Sequence, residues 1–282
     1  MLTSPAKVLC PATLDEALRL RAQHPDAMPL AGGTDVMVFL EAGAIAPAAF
    51  LNLWGLPGLD AIATTPGGLR LGALCTYTTL IHDKRVQAAA PALVEAARTV
   101  GALQIQNRGT LGGNIANASP AGDTLPVLLA LDAEVEVQSL RGARRVPFDG
   151  LYTGYRKLAL APDELITAVH LPTPHAADHT HFRKVGTRLA QAISKVILGG
   201  RLRIEGGVVT DARVAFGSVA PVPVRARAVE KALLGKPVDV AAADAVSADI
   251  QPIDDVRSTA EYRLSVARRV LRSWLASLAE GA

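Results

Sequence analysis

A chain of 282 residues that is 50% hydrophobic can bury a large core and suggests two domains. Its 29 basic and 26 acidic side chains leave a net charge of +3, and no basic run is interleaved with aromatics, so nucleic acid is not an expected partner. The two cysteines, Cys10 and Cys75, match no iron–sulfur or zinc spacing. Spacing alone leaves a disulfide open, but reduced thiols in a cytosolic protein are the expectation. The N-terminal residues lack a signal-peptide pattern and no apolar run approaches ~18 residues, so a cytoplasmic chain without a membrane partner is expected.

In chain order, Lys7–Cys10 reads as a short strand. Thr13 and Glu16 form a capping-box pattern that starts a helix with Leu14, Leu18 and Ala22 on one face, ended near His24-Pro25. A strand from Met28 then runs into Gly32-Gly33 and a Thr34-Asp35 helix start. Val36, Met37 and Leu40 continue as a short helix to Gly43. Such a strand–Gly-Gly–helix arrangement leaves free N–H groups where a phosphate is electrostatically favoured. Short strands with turns at Pro57-Gly58 and Pro66-Gly67-Gly68 fill 49–73, and helices are predicted over 78–83 and 91–100.

The stretch from Gln104 to Pro126, QIQNRGTLGGNIANASPAGDTLP, is the richest in backbone that can meet an anion. Gly109, Thr110, Gly112, Gly113 and Asn114 lie within six positions, and a glycine pair can take φ > 0 and let a ligand approach the main chain. Successive N–H groups in such a loop form a nest for phosphate. Thr110, Asn114, Asn117 and Ser119 add short polar groups, and Asp123 a fixed acceptor. The same letters would also suit an ordinary turn between two elements. Neither G-x-G-x-x-G nor a Walker A loop occurs, since Gly235-Lys236 lacks the upstream glycine.

Beyond it, 125–131 reads as an apolar helix, and 133–140 and 144–148 alternate at period two as a strand pair would. A strand over 165–171 is closed by Pro172 and Pro174, and 172–181 looks like a connection between domains. Past it, 192–205 and 208–217 flank the hairpin signal Gly206-Gly207, and helices are predicted over 225–234, 240–248 and 259–278. In the last, Tyr262, Val266, Val270, Trp274 and Leu278 recur every four residues, with Leu271 and Leu275 beside them, as a core stripe. His170, His175, His179 and His181 could be imagined as a metal site, but the surrounding Pro, Thr and Ala favour a solvated loop.

Four segments carry a family resemblance: AGGTD at 31–35, NRGTLGGNIANASPAGD at 107–123, FRKVGTRLAQAISKV at 182–196 and DDVRSTAEYRLSVARRVL at 254–271. Together they resemble the FAD-binding (medium) subunit of molybdenum hydroxylases of the xanthine dehydrogenase and carbon monoxide dehydrogenase type. The resemblance implies an α+β fold. Residues 1–174 would form a vanillyl-alcohol oxidase/p-cresol methylhydroxylase-type FAD-binding domain, with subdomains at about 1–57 and 58–174. Residues 179–282 would form a C-terminal domain of a three-stranded sheet with a helical bundle. It also implies an oxidoreductase subunit carrying non-covalent FAD. Its partners would be a molybdopterin-binding large subunit and a [2Fe-2S] small subunit, with electrons passing to NAD+ or another acceptor.

Carried over by position, Pro29, Leu30, Ala31, Gly32, Gly33, Thr34, Asp35 and Val36 resemble the first pyrophosphate loop. Thr110, Leu111, Gly112, Gly113 and Asn114 resemble the second, and Ser119 lies just beyond it. Asp123 would accept from the ribose or adenine end. Val100 and Ile166 match apolar contact positions, and Lys184 a basic residue near the flavin; as an ordinary residue Lys184 would be a solvated lysine on an edge strand. Gln106 stands where the family often has arginine, and the cysteine-bearing insertion of the 4-hydroxybenzoyl-CoA reductase branch is missing. A stand-alone flavoprotein oxidase or reductase of the same superfamily is the alternative. Its covalent versions usually need a His or Cys near the first loop, and 29–36 has neither. An assembly subunit that has lost FAD would gain nothing from two glycine loops.

Overall fold

The structure, a computed structural model, describes residues 6–188 and 190–280. The outer ends of the two expected domains (1–5 and 281–282) and position 189 of the third motif lie outside the described residues. A parallel sheet of order β1-β3-β2 is built from β1 (Lys7–Leu9), β2 (Met28–Leu30) and β3 (Ala49–Asn52), flanked by α1 (Leu14–Gln23) and α2 (Val36–Glu41). The α1 cap forms as the sequence suggests, with Thr13 Oγ1 accepting from Glu16 N at 3.2 Å. Glu16 reaches back one residue further than expected and accepts from Ala12 N at 2.7 Å. Ala17 and Leu18 then face Leu9 and Leu51 in a small core.

The second sheet is antiparallel, order β4-β5-β10-β6-β7: β4 (Ile62–Thr65), β5 (Gly68–Gly72), β6 (Glu134–Ser139), β7 (Gly142–Pro147) and β10 (Leu165–Pro172). Its strand β6 alternates, with Val135 and Val137 inward, whereas β10 is central and buried along most of its length. Helices α3 (Tyr77–His82), α4 (Lys84–Ala89), α5 (Pro91–Arg98), α6 (Leu103–Gln106), α7 (Leu111–Asn117) and α8 (Leu125–Ala130) follow β5, and a small hairpin of β8 (Tyr152–Gly154) and β9 (Lys157–Leu158) precedes β10. The largest core lies between these helices and the sheet, around Leu80, Leu93, Leu111 and Leu128.

The C-terminal sheet, order β11-β12-β13-β14, joins β11 (Asp178–Val185), β12 (Val196–Glu205) and β13 (Val208–Gly217) to a two-residue fourth strand, β14 (Val224–Arg225). It therefore has one short strand more than expected. The turn between β12 and β13 holds Gly206 at φ 59° and Gly207 at φ 77°, as a two-residue hairpin of primed type requires. Two glycines inside β12 let helices close on both faces of the sheet. A Cβ at Gly199 would lie 2.7 Å from the Pro126 backbone of α8, and one at Gly200 would lie 2.2 Å from the Trp274 ring.

Helix α9 (Arg227–Leu233), a 3-10 helix at Val240–Ala248 and α10 (Ala260–Ala279) complete the domain. The segment 240–248 is helical as predicted but tighter wound, with Ala243 and Val246 buried three positions apart. The buried face of α10 is rotated from the predicted stripe. It presents Arg263, Ala267, Leu271, Trp274 and Leu275, leaving Tyr262 exposed and Val266, Val270 and Leu278 at the margin. The face takes in Arg263, whose guanidinium reaches the Ser218 carbonyl (2.6 Å) and Asp255 (2.7 Å). Asp132, just past α8, accepts from Arg201 (2.9 Å), Arg213 (2.8 Å) and Arg225 (3.2 Å), and so ties the second sheet's layer to the C-terminal sheet. Both cysteines are free thiols. Burial pushes the Cys75 pKa up to about 12, and its Sγ donates to Asp60 O.

Candidate functional site

One large cleft of about 1460 Å³ runs between the three sheets. That exceeds the roughly 300–1,000 Å³ of an ordinary small-molecule site and suits a dinucleotide-sized ligand. All the expected residues line it except Leu30 and Leu111. Leu111 is fully buried in the core, and Leu30 is held in β2, pairing with Asn52. The expected site is therefore gathered from elements as distant as β2 and β11.

The first loop leaves β2 where Leu30 O accepts from Leu53 N at 2.8 Å. A Cβ at Gly32 would fall 1.8 Å from the Arg108 carbonyl oxygen, so only glycine lets this loop lie against the residue that leads into the second one. Gly33 follows at φ 77°. Among the described residues, the N–H groups of Gly32 through Val36 meet no protein acceptor. A run of free donors at the head of α2 is what an anionic ligand needs. Asp35 caps this helix without a side-chain hydrogen bond; burial raises its pKa, and the Arg156 guanidinium opposes that rise.

The second loop is built differently from the expectation. Gly112 and Gly113 do not adopt positive φ; they form the first turn of α7. Most of their donors are already used within the protein. Leu111 N bonds Cys75 O (2.9 Å), Gly112 N bonds Ala73 O (2.8 Å), and Gly113 N bonds the capping Thr110 Oγ1 (3.1 Å). Gly112 is required by proximity, because a Cβ there would sit 2.7 Å from that of Ala73. This loop thus offers a compact helix start with the Thr110 hydroxyl and the Asn114 amide, whose Oδ1 is fixed by Thr124 at 2.7 Å. The symmetrical pair of N–H nests inferred from the two glycine pairs is not what forms.

At one end of the cleft Asp123 is buried, with Oδ2 2.6 Å from Lys184 Nζ and Oδ1 accepting from Ser194 Oγ at 2.5 Å. Lys184 also donates to Thr99 O (3.0 Å), and its side chain is 7% exposed, so the solvated-lysine reading is overturned. Burial pushes the Asp123 carboxyl pKa up, and Lys184 first among its neighbours pulls it back. This knot fixes the 99–101 turn that carries Val100. Gln106 fastens the same turn, its Nε2 donating to the carbonyls of Arg98 and Val100 at 3.1 Å each. Gln106 is therefore a clamp on the chain.

Ile166 on β10 completes the apolar part of the lining. Ser119, also in the lining, accepts from Ala121 N at 3.3 Å through its hydroxyl. The histidines are dispersed. His170 bonds Glu136 at 2.8 Å, His181 stacks on Trp274 at 5.2 Å between ring centroids, and no group of three or more metal-binding side chains occurs among the described residues.

Sequence comparison agrees with this geometry. Residues 4–174 match the family described as FAD binding domain in molybdopterin dehydrogenase, and residues 181–278 match the CO dehydrogenase flavoprotein C-terminal domain. The chain belongs to this family. It is an FAD-binding subunit of the molybdenum hydroxylase family, and hence an oxidoreductase subunit. It is 35% identical to the xanthine dehydrogenase FAD-binding subunit of Escherichia coli O157:H7, over 93% of this chain and 91% of the relative. It is 32% identical to the glyceraldehyde dehydrogenase medium chain of Sulfolobus acidocaldarius, over 91% and 92%. Carbon monoxide dehydrogenase from Hydrogenophaga pseudoflava superposes with a TM-score of 0.93 at 30% identity, covering 97% of this chain and 96% of that one.

The flavoprotein subunit also brings to the cleft residues that no motif marked. Arg156, at φ 54° in the tip of the β8–β9 hairpin, donates to Asn117 O (3.1 Å) and Oδ1 (2.8 Å). Its guanidinium stands 5.1 Å from the Phe39 ring, which links the hairpin to α2 across the cleft mouth. Tyr77 comes from the start of α3. Neither lies in a pattern that spacing could reveal; only the fold makes them neighbours of the loops. Among the described residues, no helix is long and apolar enough to cross a membrane.

Proposed function

We propose that this cleft holds one FAD without a covalent bond, its pyrophosphate over the free N–H groups of Gly32 through Val36 and against the Thr110–Asn114 helix start. The observation that carries this is the convergence of the two glycine segments, Asp123, Lys184, Val100 and Ile166 on a single cleft. No Cys or His lines it among the described residues, which leaves no thiol or imidazole to bond the ring. Bound there, FAD would supply redox chemistry; the chain's own part is to bind it, orient it and exclude water.

The domains would divide at 174–179, with the FAD-binding domain before and the flavoprotein C-terminal domain after. In a complex, this subunit would take electrons from [2Fe-2S] clusters on a small partner and pass them to NAD+ or another acceptor. Substrate hydroxylation would belong to a molybdopterin-binding large partner. The relatives named medium chain or medium subunit support such an assembly. The purified chain should show a flavin spectrum, and acid or heat should release all of its colour to the supernatant. A colourless chain that binds no added FAD, or colour that stays with the washed precipitate, refutes the cofactor assignment. Purification from the native host should yield a complex containing Mo and Fe; a catalytically complete monomer refutes the assembly.

A further inference from the structure

Tyr77 stands out among the residues lining the cleft. It is 3% exposed, and its backbone N–H donates to Gly109 O at 3.2 Å. Its ring is packed so closely on Gly109 that a Cβ there would fall 2.8 Å from Tyr77 Cε2. Gly109 leads directly into Thr110, and the Thr76–Thr110 bridge fixes the two segments together. The phenol is thus held rigidly beside the second loop, in the field of Asp35 at the first loop and Asp123 at the cleft's end. Burial first, and then those two carboxylates, push its pKa up, so it stays a protonated donor.

The hydroxyl has no acceptor within the protein among the described residues, nor is it among the polar atoms sealed from solvent. Asp123 already accepts from Lys184 and Ser194. By contrast the other buried phenol of this region, Tyr152, donates to Ile115 O at 3.1 Å. Water filling the cleft would serve the Tyr77 hydroxyl. A ligand that expels this water must bring an acceptor, or strand a buried donor. We infer that the Tyr77 hydroxyl is a further binding group of the cleft, donating to a phosphate oxygen of the bound dinucleotide beside the second loop. The inference rests on the assignment of the cleft to FAD.

The test is FAD titration of the deflavinated full-length chain as wild type, Tyr77→Phe and Tyr152→Phe, with ADP measured by displacement of FAD. Tyr77→Phe keeps the ring against Gly109 and breaks no bond within the protein, so the melting temperature of its apo form should match wild type. Its dissociation constant should rise roughly tenfold or more for both FAD and ADP, the cost of one hydrogen bond to a charged acceptor. Tyr152→Phe should lower the melting temperature and leave both affinities in place. Equal FAD affinity in wild type and Tyr77→Phe overturns the inference and leaves the cofactor assignment standing. A loss with FAD but not with ADP overturns the phosphate contact. A wild-type chain that binds no FAD overturns both readings.

Discussion

The glycines of the two loops are not equivalent, and substitutions should separate them. Gly32→Ala places a Cβ inside the contact distance of the Arg108 carbonyl. The first loop must then shift away, and two or more N–H to phosphate bonds go with it. At roughly 1.5–3 kcal/mol each, FAD affinity should fall about a hundredfold or more. Gly113→Val acts through the cap instead: its Cβ lies 2.7 Å from Thr110 Oγ1, so α7 loses about 1 kcal/mol of capping and the cleft gains bulk. Gly67→Ala, in open space at ordinary φ, should keep wild-type affinity and is the control. Equilibrium FAD titration distinguishes the three, and undiminished affinity in Gly32→Ala would place the pyrophosphate elsewhere. Asp123→Ala is not a mild change, because it leaves Lys184 buried without its counter-ion. Local letters revealed where the loops are, since Gly, Thr and Asn cluster there. They did not reveal why each glycine is needed, because the atoms that forbid a side chain at Gly32 and Gly112 belong to Arg108 and Ala73. The Asp123–Lys184–Ser194 knot joins residues up to 71 positions apart, beyond the reach of spacing arguments.

At the level of elements, caps and periodicity were legible and the direction of faces was less so. Thr13 caps α1 as the sequence suggests, and Thr259 caps α10, where only the helix itself was expected. The buried side of α10 is turned by one residue and takes in the paired Arg263, which patterns built on hydrophobicity alone assign outward. On the same helix Trp274 stacks on His181 of β11 with 9° between the rings. Burial, then the nearby Arg183 charge, lowers the His181 pKa from 6.5 to about 4. A depressed histidine binds its proton more readily unfolded than folded, so the chain should lose stability as pH falls from about 6.5 towards 4. His181→Phe preserves the stack and should flatten that part of the stability–pH curve, measured by urea denaturation at each pH. An unchanged slope would mean that the ring is not held neutral.

For the whole molecule, the joint between the FAD-binding layer and the C-terminal sheet includes two devices besides the Asp123–Lys184–Ser194 knot. One is the passage of α8 over Gly199, where any side chain would strike the Pro126 backbone. The other is Asp132, at φ 52°, which accepts from three arginines carried by β12, β13 and β14. Asp211 and Glu230 share those arginines, at 2.7 Å and 2.5 Å from Arg201 and Arg225, so the cluster balances three cations with three carboxylates. Asp132→Ala removes the carboxylate that all three touch and should cost about 1–3 kcal/mol. For a chain of this size each kcal/mol lowers the melting temperature by ~2–4 °C, which calorimetry resolves. FAD affinity should change little, since Asp132 does not line the cleft. A melting temperature equal to wild type would show that the other carboxylates suffice.

The contrast between the two loops also bears on how the empty protein breathes. The amides at 111–114 are held by Cys75, Ala73 and Thr110, so their protection is intrinsic to the fold. Those of Gly32 through Val36 have only solvent or a ligand as acceptor. Hydrogen–deuterium exchange should therefore find 111–114 slow in apo and flavin-bound protein alike, and 32–36 fast in apo and slowed once FAD binds. The second loop would serve as a finished wall, against which the cofactor itself orders the first. Equal protection of 32–36 in both forms would contradict that division of labour.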